Sequence, residues 1–88
     1  FFEDLIEHDN FKLERIVSNG HKTPPNQWYD QETDEFVILI EGKAQLVFED
    51  DESVTLNRGD YLIIPKHKKH RVEWTSENEK TFWLALHY

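Results

Sequence analysis

The stretch Glu35-Phe36-Val37-Ile38-Leu39-Ile40-Glu41-Gly42-Lys43-Ala44-Gln45-Leu46-Val47-Phe48 decides the fold class of this chain. Its first part, residues 36–40, is wholly apolar and predicts a strand that must be covered on both faces. Glu41-Gly42-Lys43 is a turn signal, and residues 44–48 follow as a second strand. Strands joined by so short a turn pair antiparallel, so the stretch predicts a hairpin.

Short strands separated by turn residues continue on both sides of this hairpin. Residues 11–17 alternate apolar and polar side chains, as a half-buried strand does. Further strands are predicted downstream over 54–56, 61–64, 71–75 and 81–88, with turn residues between them. Regularly spaced short strands predict an antiparallel sandwich or barrel, and 88 residues suffice for one domain over 1–88.

The N-terminal segment Phe1 to His8 follows a different pattern. Phe2, Leu5 and Ile6 stand at helix-compatible spacing with acidic residues between them. This spacing predicts a short helix or turn whose apolar side packs on the barrel.

Composition excludes several classes of function. Ten Lys and Arg against eighteen Asp and Glu give a net charge of −8, which repels nucleic acid and anionic membranes. The chain has no cysteine, so disulfides and thiolate sites are excluded, and its longest apolar run is too short to span a membrane. No secretory signal pattern is visible at Phe1, and we expect a cytoplasmic protein. A core this small gains from association, so we expect a homodimer.

A second stretch, from Gly59 to His70, carries a family resemblance. The spacing of this stretch resembles the second motif of the cupin superfamily: Gly59, five residues, Pro65, then His67 two positions later and His70 three positions after that. His67 stands where that motif commonly has Gly, and Trp74 stands where it closes with Asn. The resemblance implies a small cupin, an antiparallel double-sheet jelly-roll barrel. By the two-residue period of a strand, His70, Val72 and Trp74 are predicted to face the barrel interior.

The first cupin motif is only half present. Its tail, a Glu followed by six residues and a Gly, is met by Glu35 and Gly42. Its His-x-His head is absent, since the two alignments place Trp28 and Asp30, or Tyr29 and Gln31, at the histidine positions.

The resemblance implies a metal site built from Glu35 and His70, with Asp30 as a third ligand. Two carboxylates and one imidazole suit Mn or Fe, and Zn also accepts them. The alternative is that Glu35 and His70 pair with each other in a polar pocket, with Asp30 near the rim. A separate function hypothesis is a metal-free barrel that binds a small molecule without catalysis, and the missing His-x-His favours it.

The ligand pocket predicted from these patterns has several further members. Aromatic walls with a few polar groups are typical of small-molecule sites. The candidates are Trp28, Tyr29, Gln31, His67 and His87. A third reading is an inert barrel filled by side chains. Neither the substrate nor a reaction follows from the sequence.

Overall fold

A computed structural model describes residues 1–20 and 22–88; His21, for which the sequence suggests no partner, lies outside the described residues. Eight strands make up the regular structure: β1 (Phe2–His8), β2 (Phe11–Ser18), β3 (Glu35–Glu41), β4 (Lys43–Phe48), β5 (Ser53–Asn57), β6 (Tyr61–Ile64), β7 (His70–Thr75) and β8 (Thr81–His87). Within the described part of the chain, no helix has the length and apolarity needed to cross a membrane.

The strands form two antiparallel sheets that face each other. The larger sheet has the order β1-β2-β8-β3-β6, and the smaller has the order β5-β4-β7. Side chains from both sheets fill the space between them, and the buried apolar ones are Val37, Leu39, Ala44, Leu46, Phe48, Leu56, Ile64, Trp83 and Ala85. The predicted all-β, double-sheet jelly-roll fold is confirmed.

Strand β3 shows how the apolar run 36–40 is used. Glu35, Val37 and Leu39 are buried against the second sheet, whereas Ile40 on the opposite side is 44% exposed. Phe36 and Ile38, on that outer side, are half-buried. The sheet therefore has an apolar inner face and an apolar outer face, and only the inner one is covered within the chain.

The N-terminal prediction was wrong, because Phe2–His8 is a strand. It pairs antiparallel with β2, and the register shifts between Asp4 and Ile6. The extra residue, Leu5, breaks the two-residue alternation of a strand, which is why the apolar positions mimicked helical spacing. Pairing with β2 satisfies the backbone hydrogen-bonding groups of this segment. A helix of seven residues would not be stable by itself.

A second bulge changes the face of one tryptophan. In β7 the partners of Gln45 and Leu46 are Trp74 and Val72, so Glu73 is an extra residue. The prediction that Trp74 faces the interior was therefore wrong: it is half-buried beside Gln45, and Thr75 is the buried neighbour, 3% exposed. His70 and Val72, before the bulge, keep the predicted orientation.

Candidate functional site

A cavity of about 80 Å³ lies between the two sheets. Both sheets and the loop before β3 contribute to its walls, which are mostly apolar. Its lining consists of Phe2, Glu14, Ile16, Ser18, Tyr29, Gln31, Glu35, Val37, Leu46, Ile64, His70, Val72 and Trp83. The two residues on which the sequence analysis depends, Glu35 and His70, thus share one cavity.

Glu35 is the first residue of β3 and is fixed by strands on both sides. Its Cα partners are Ile64 in β6 and His87 in β8, and the residue is only 6% exposed. Oε1 of its carboxylate is buried without a hydrogen-bond partner in the protein. Burial raises the pKa of Glu35 above its ordinary value, against the opposing charges of His87 and His70.

His70 begins β7 directly after the loop that follows Pro65. Its backbone exchanges hydrogen bonds with Tyr29: the Tyr29 N–H donates to the His70 carbonyl at 2.8 Å, and the His70 N–H donates to the Tyr29 carbonyl at 3.1 Å. The imidazole Nδ1 lies 3.0 Å from the Lys68 carbonyl oxygen. Because a carbonyl only accepts, Nδ1 carries the proton, and in the neutral ring Nε2 is an acceptor.

The Nε2 atom of His70 stands 3.9 Å from Oε1 of Glu35. This distance satisfies a loose criterion for an ion pair but exceeds the length of a hydrogen bond. Oε1 of Glu35, which is buried, therefore faces Nε2 of His70 without a hydrogen bond between the two atoms. A single donor atom about 2.8 Å from each would satisfy both.

Asp30 is not brought together with this pair. Its carboxylate lies 2.9 Å from Nδ1 of His67, and both side chains are largely exposed. His67 adopts φ 63°, a left-handed conformation that explains why glycine is common at its position in the motif. In the described ranges, 1–20 and 22–88, no three His, Cys, Asp or Glu side chains are grouped so as to hold a metal ion.

The other predicted pocket residues divide between the cavity and its surroundings. Tyr29 and Gln31 line the cavity, and the Tyr29 ring lies 5.7 Å from that of His70. Trp28 lies outside, 38% exposed, with the Arg71 guanidinium 5.3 Å from its ring centre. His87 is buried, and its Nε2 is 2.8 Å from Oε1 of Glu14.

Glu14 is a cavity residue that the sequence analysis missed. It lies on β2, is 8% exposed, and lines the same cavity as Glu35. In β2 the apolar residues Leu13 and Val17 lie on the outer face of the sheet, opposite Glu14. Alternation alone therefore suggested that Glu14 faced solvent, and only the pairing of β2 with β8 reveals its position.

Comparison with known proteins agrees with this architecture. The chain is 30% identical over 70 residues to the uncharacterized protein YdbB of Bacillus subtilis. The matched region covers 74% of this chain and 62% of YdbB, so the chain spans less than two thirds of that relative. It is 43% identical to a "putative mannose-6-phosphate isomerase" of Ralstonia eutropha, covering 99% of this chain and 82% of that one, with a TM-score of 0.95.

A more distant structure shares the fold. The cupin-2 domain containing protein of Shewanella frigidimarina is 23% identical, with a TM-score of 0.75 over 98% of this chain and 78% of that one. The family model described as the cupin domain matches residues 14–87, most of the chain, and this chain is therefore a member of the cupin domain family.

Proposed function

We propose that this cupin binds a small polar molecule in its barrel through protein atoms alone, without a resident metal. The observation that carries the proposal is Oε1 of Glu35, buried without a partner in the protein, with Nε2 of His70 facing it 3.9 Å away. An unsatisfied buried polar atom costs about 1–3 kcal/mol, so a ligand that donates to both recovers a substantial free energy. The apolar walls hold the rest of the ligand.

The donor set does not fit the divalent metal implied by the family resemblance. Catalytic zinc has three protein ligands and an open position. Here Glu35 and His70 face each other, whereas Asp30, the predicted third ligand, pairs with His67. No other group of three metal-ligating side chains occurs among the described residues. Mn, Fe or Zn is therefore not supported by the arrangement of these side chains.

The cavity also does not suit the substrate in the name of the Ralstonia protein. A phosphate group needs several cationic or N–H donors. Among the described residues no Lys or Arg lines the cavity, and the buried Nε1–H of Trp83 is a single neutral donor. Two carboxylates, Glu14 and Glu35, line it instead. Its volume of about 80 Å³ is roughly half that of an apolar cavity that accepts benzene, so it holds three or four non-hydrogen atoms.

The test is a titration with small alcohols and amines, followed through the amide NMR signals of Tyr29 and His70. We expect saturable binding in the high micromolar to millimolar range, since so few atoms set a ceiling on affinity. A chelator should leave the binding unchanged. His70→Leu should weaken it about tenfold because one acceptor is lost, whereas His67→Ala, outside the cavity, should not.

Two results would overturn this proposal. One is binding that disappears with chelator. The other is untagged protein that purifies with stoichiometric metal and loses the metal in His70→Ala.

We also propose that the chain forms a homodimer through the outer face of the larger sheet. Neighbouring apolar side chains from three strands cover this face: Phe36, Ile38, Tyr61, Ile63, Leu84 and Leu86. Ile63 is 54% exposed and Tyr61 63%. A stable interface buries about 800 Å² per partner. Three strands about 4.8 Å apart and about 20 Å long present roughly 300 Å² in plan, so the interface extends from them across the rest of the outer face of the sheet. A second copy of the same face supplies the missing apolar cover.

Substituting the exposed Ile63 separates association from folding. Ile63→Glu should leave the fold intact, because the side chain is exposed, and should shift the protein from twice 10.6 kDa to 10.6 kDa in sedimentation equilibrium. Trp28→Glu, on an exposed residue away from this face, is the matched control and should stay dimeric. A wild-type chain that sediments as a monomer at high micromolar concentration would refute the interface.

A further inference from the structure

The charge of the cavity narrows the chemistry of the ligand. Glu14 and Glu35 both line it, and among the described lining residues there is no Lys or Arg. His87 hydrogen-bonds Glu14 at 2.8 Å, and its charge also acts on Glu35, its Cα partner in the neighbouring strand. No side chain of the protein hydrogen-bonds Oε1 of Glu35, which is buried, and His70 stands 3.9 Å away. The unmet requirement is for a hydrogen-bond donor at Oε1, and a cationic donor makes the stronger hydrogen bond to a carboxylate.

The hydrogen-bonding capacity of the pair distinguishes among donors. Oε1 of Glu35 accepts, and in the neutral form of the ring Nε2 of His70 accepts as well, because Nδ1–H is engaged with the Lys68 carbonyl. A hydroxyl group has one proton and satisfies one of the two acceptors. A primary ammonium group has three, so it satisfies both and offsets the carboxylate charge. The Tyr29 ring, which also lines the cavity, adds an aromatic wall of the kind that attracts cations.

An open groove beside the cavity has the same sign of charge. The groove, about 590 Å³, shares Phe2, Glu14 and Gln31 with the cavity, so the two lie side by side. Its lining contributes four carboxylates, from Glu7, Asp9, Glu14 and Glu32, against the single lysine Lys12. With a chain charge of −8, this field concentrates cations near the cavity and disfavours anions.

We propose that the ligand of this barrel is a small primary amine, bound as its ammonium ion between Glu35 and His70 with a short apolar chain against the inner sheets. This inference rests on the proposed function and specifies the chemical class of its ligand. Three or four non-hydrogen atoms fill the cavity, so the amine, or the end of a larger one, has about the size of propylamine.

The experiment compares three small probes at pH 7.5 and constant ionic strength: propylamine and 1-propanol, which have four non-hydrogen atoms each, and the anion propanoate, which has five. Binding is followed by the amide NMR signals of Tyr29 and His70. We expect propylamine to bind at least about tenfold more tightly than 1-propanol, because an additional charged hydrogen bond is made. Propanoate should not bind measurably.

Two variants assign the preference to one carboxylate. Glu35→Gln, which keeps the shape, should reduce the preference for amine over alcohol to less than about threefold. Glu52→Gln removes the same charge from an exposed hairpin tip and should keep the full preference. An NMR spectrum of each variant establishes that it is folded.

The outcomes separate this inference from the proposed function. If 1-propanol binds as tightly as propylamine, the amine assignment fails while a metal-free small-molecule site survives. If the preference persists in Glu35→Gln, the amine binds elsewhere and the inference is overturned. If none of the three probes binds, both the inference and the proposed function fail.

Discussion

Replacing Gly42 by alanine should destabilise this protein by at least about 3 kcal/mol. Gly42 turns the chain from β3 into β4 with φ +93°, a conformation that L side chains rarely adopt. A Cβ atom there would stand 2.5 Å from Oγ1 and 2.8 Å from Cα of Thr81, which is fully buried. Backbone strain and a collision with another strand act together, and neither is relieved by moving a flexible side chain.

Gly59→Ala is the matched control for this substitution. Gly59 has a similar φ of +87°, but a Cβ at its position meets nothing within 4 Å. It should show the conformational cost alone, about 1–2 kcal/mol. Urea unfolding of the two variants measures the difference. Equal losses of stability would show that the approach of Gly42 to Thr81 is not as close as described.

The second large effect is expected at the pair formed by Glu14 and His87. His87→Leu removes the hydrogen-bond partner of a carboxylate that is 8% exposed and leaves it beside the carboxylate of Glu35. Removing one partner of a buried ion pair costs about 3–5 kcal/mol. Because Nζ of Lys12 remains 4.0 Å from Oε2 of Glu14, we expect a smaller loss, about 2 kcal/mol, by urea unfolding at pH 7.

The double variant Glu14→Leu/His87→Leu tests the cause of that loss. Replacing both partners by apolar residues of similar volume is often nearly neutral, so the double variant should recover most of the stability. A coupling free energy of about 2 kcal/mol or more is expected from the double-mutant cycle. Additive losses would mean that His87 acts through its packing and that its contact with Glu14 contributes little.

Most strands could be predicted because their boundaries carry local chemical signals. The signals are the wholly apolar run of β3, the turns at Gly42 and Gly59, and Pro65 after the end of β6. Each depends on the residues at that position and on no distant part of the chain. The same local logic correctly placed His70 inside the barrel, since it stands two residues before Val72 with no irregularity between them.

The errors arose where a bulge or a distant strand decides the outcome. Leu5 and Glu73 are extra residues in their ladders, and an extra residue reverses the faces predicted by alternation. The buried position of Glu14 depends on β8, some seventy residues away. Asp30 pairs with His67 because the loop before β3 meets the loop after β6. No spacing in the sequence encodes that contact.

The binding site depends on Oε1 of Glu35 lacking a partner while Nε2 of His70 faces it as an acceptor, and the tautomer of His70 decides whether this holds. The ¹⁵N chemical shifts of the imidazole ring in the ligand-free protein at pH 7.5 distinguish the two neutral tautomers. We expect the proton of the neutral ring on Nδ1, bonded to the Lys68 carbonyl. A proton on Nε2, donated to Glu35, would refute this site, since the pair would then satisfy itself and leave no acceptor for a ligand.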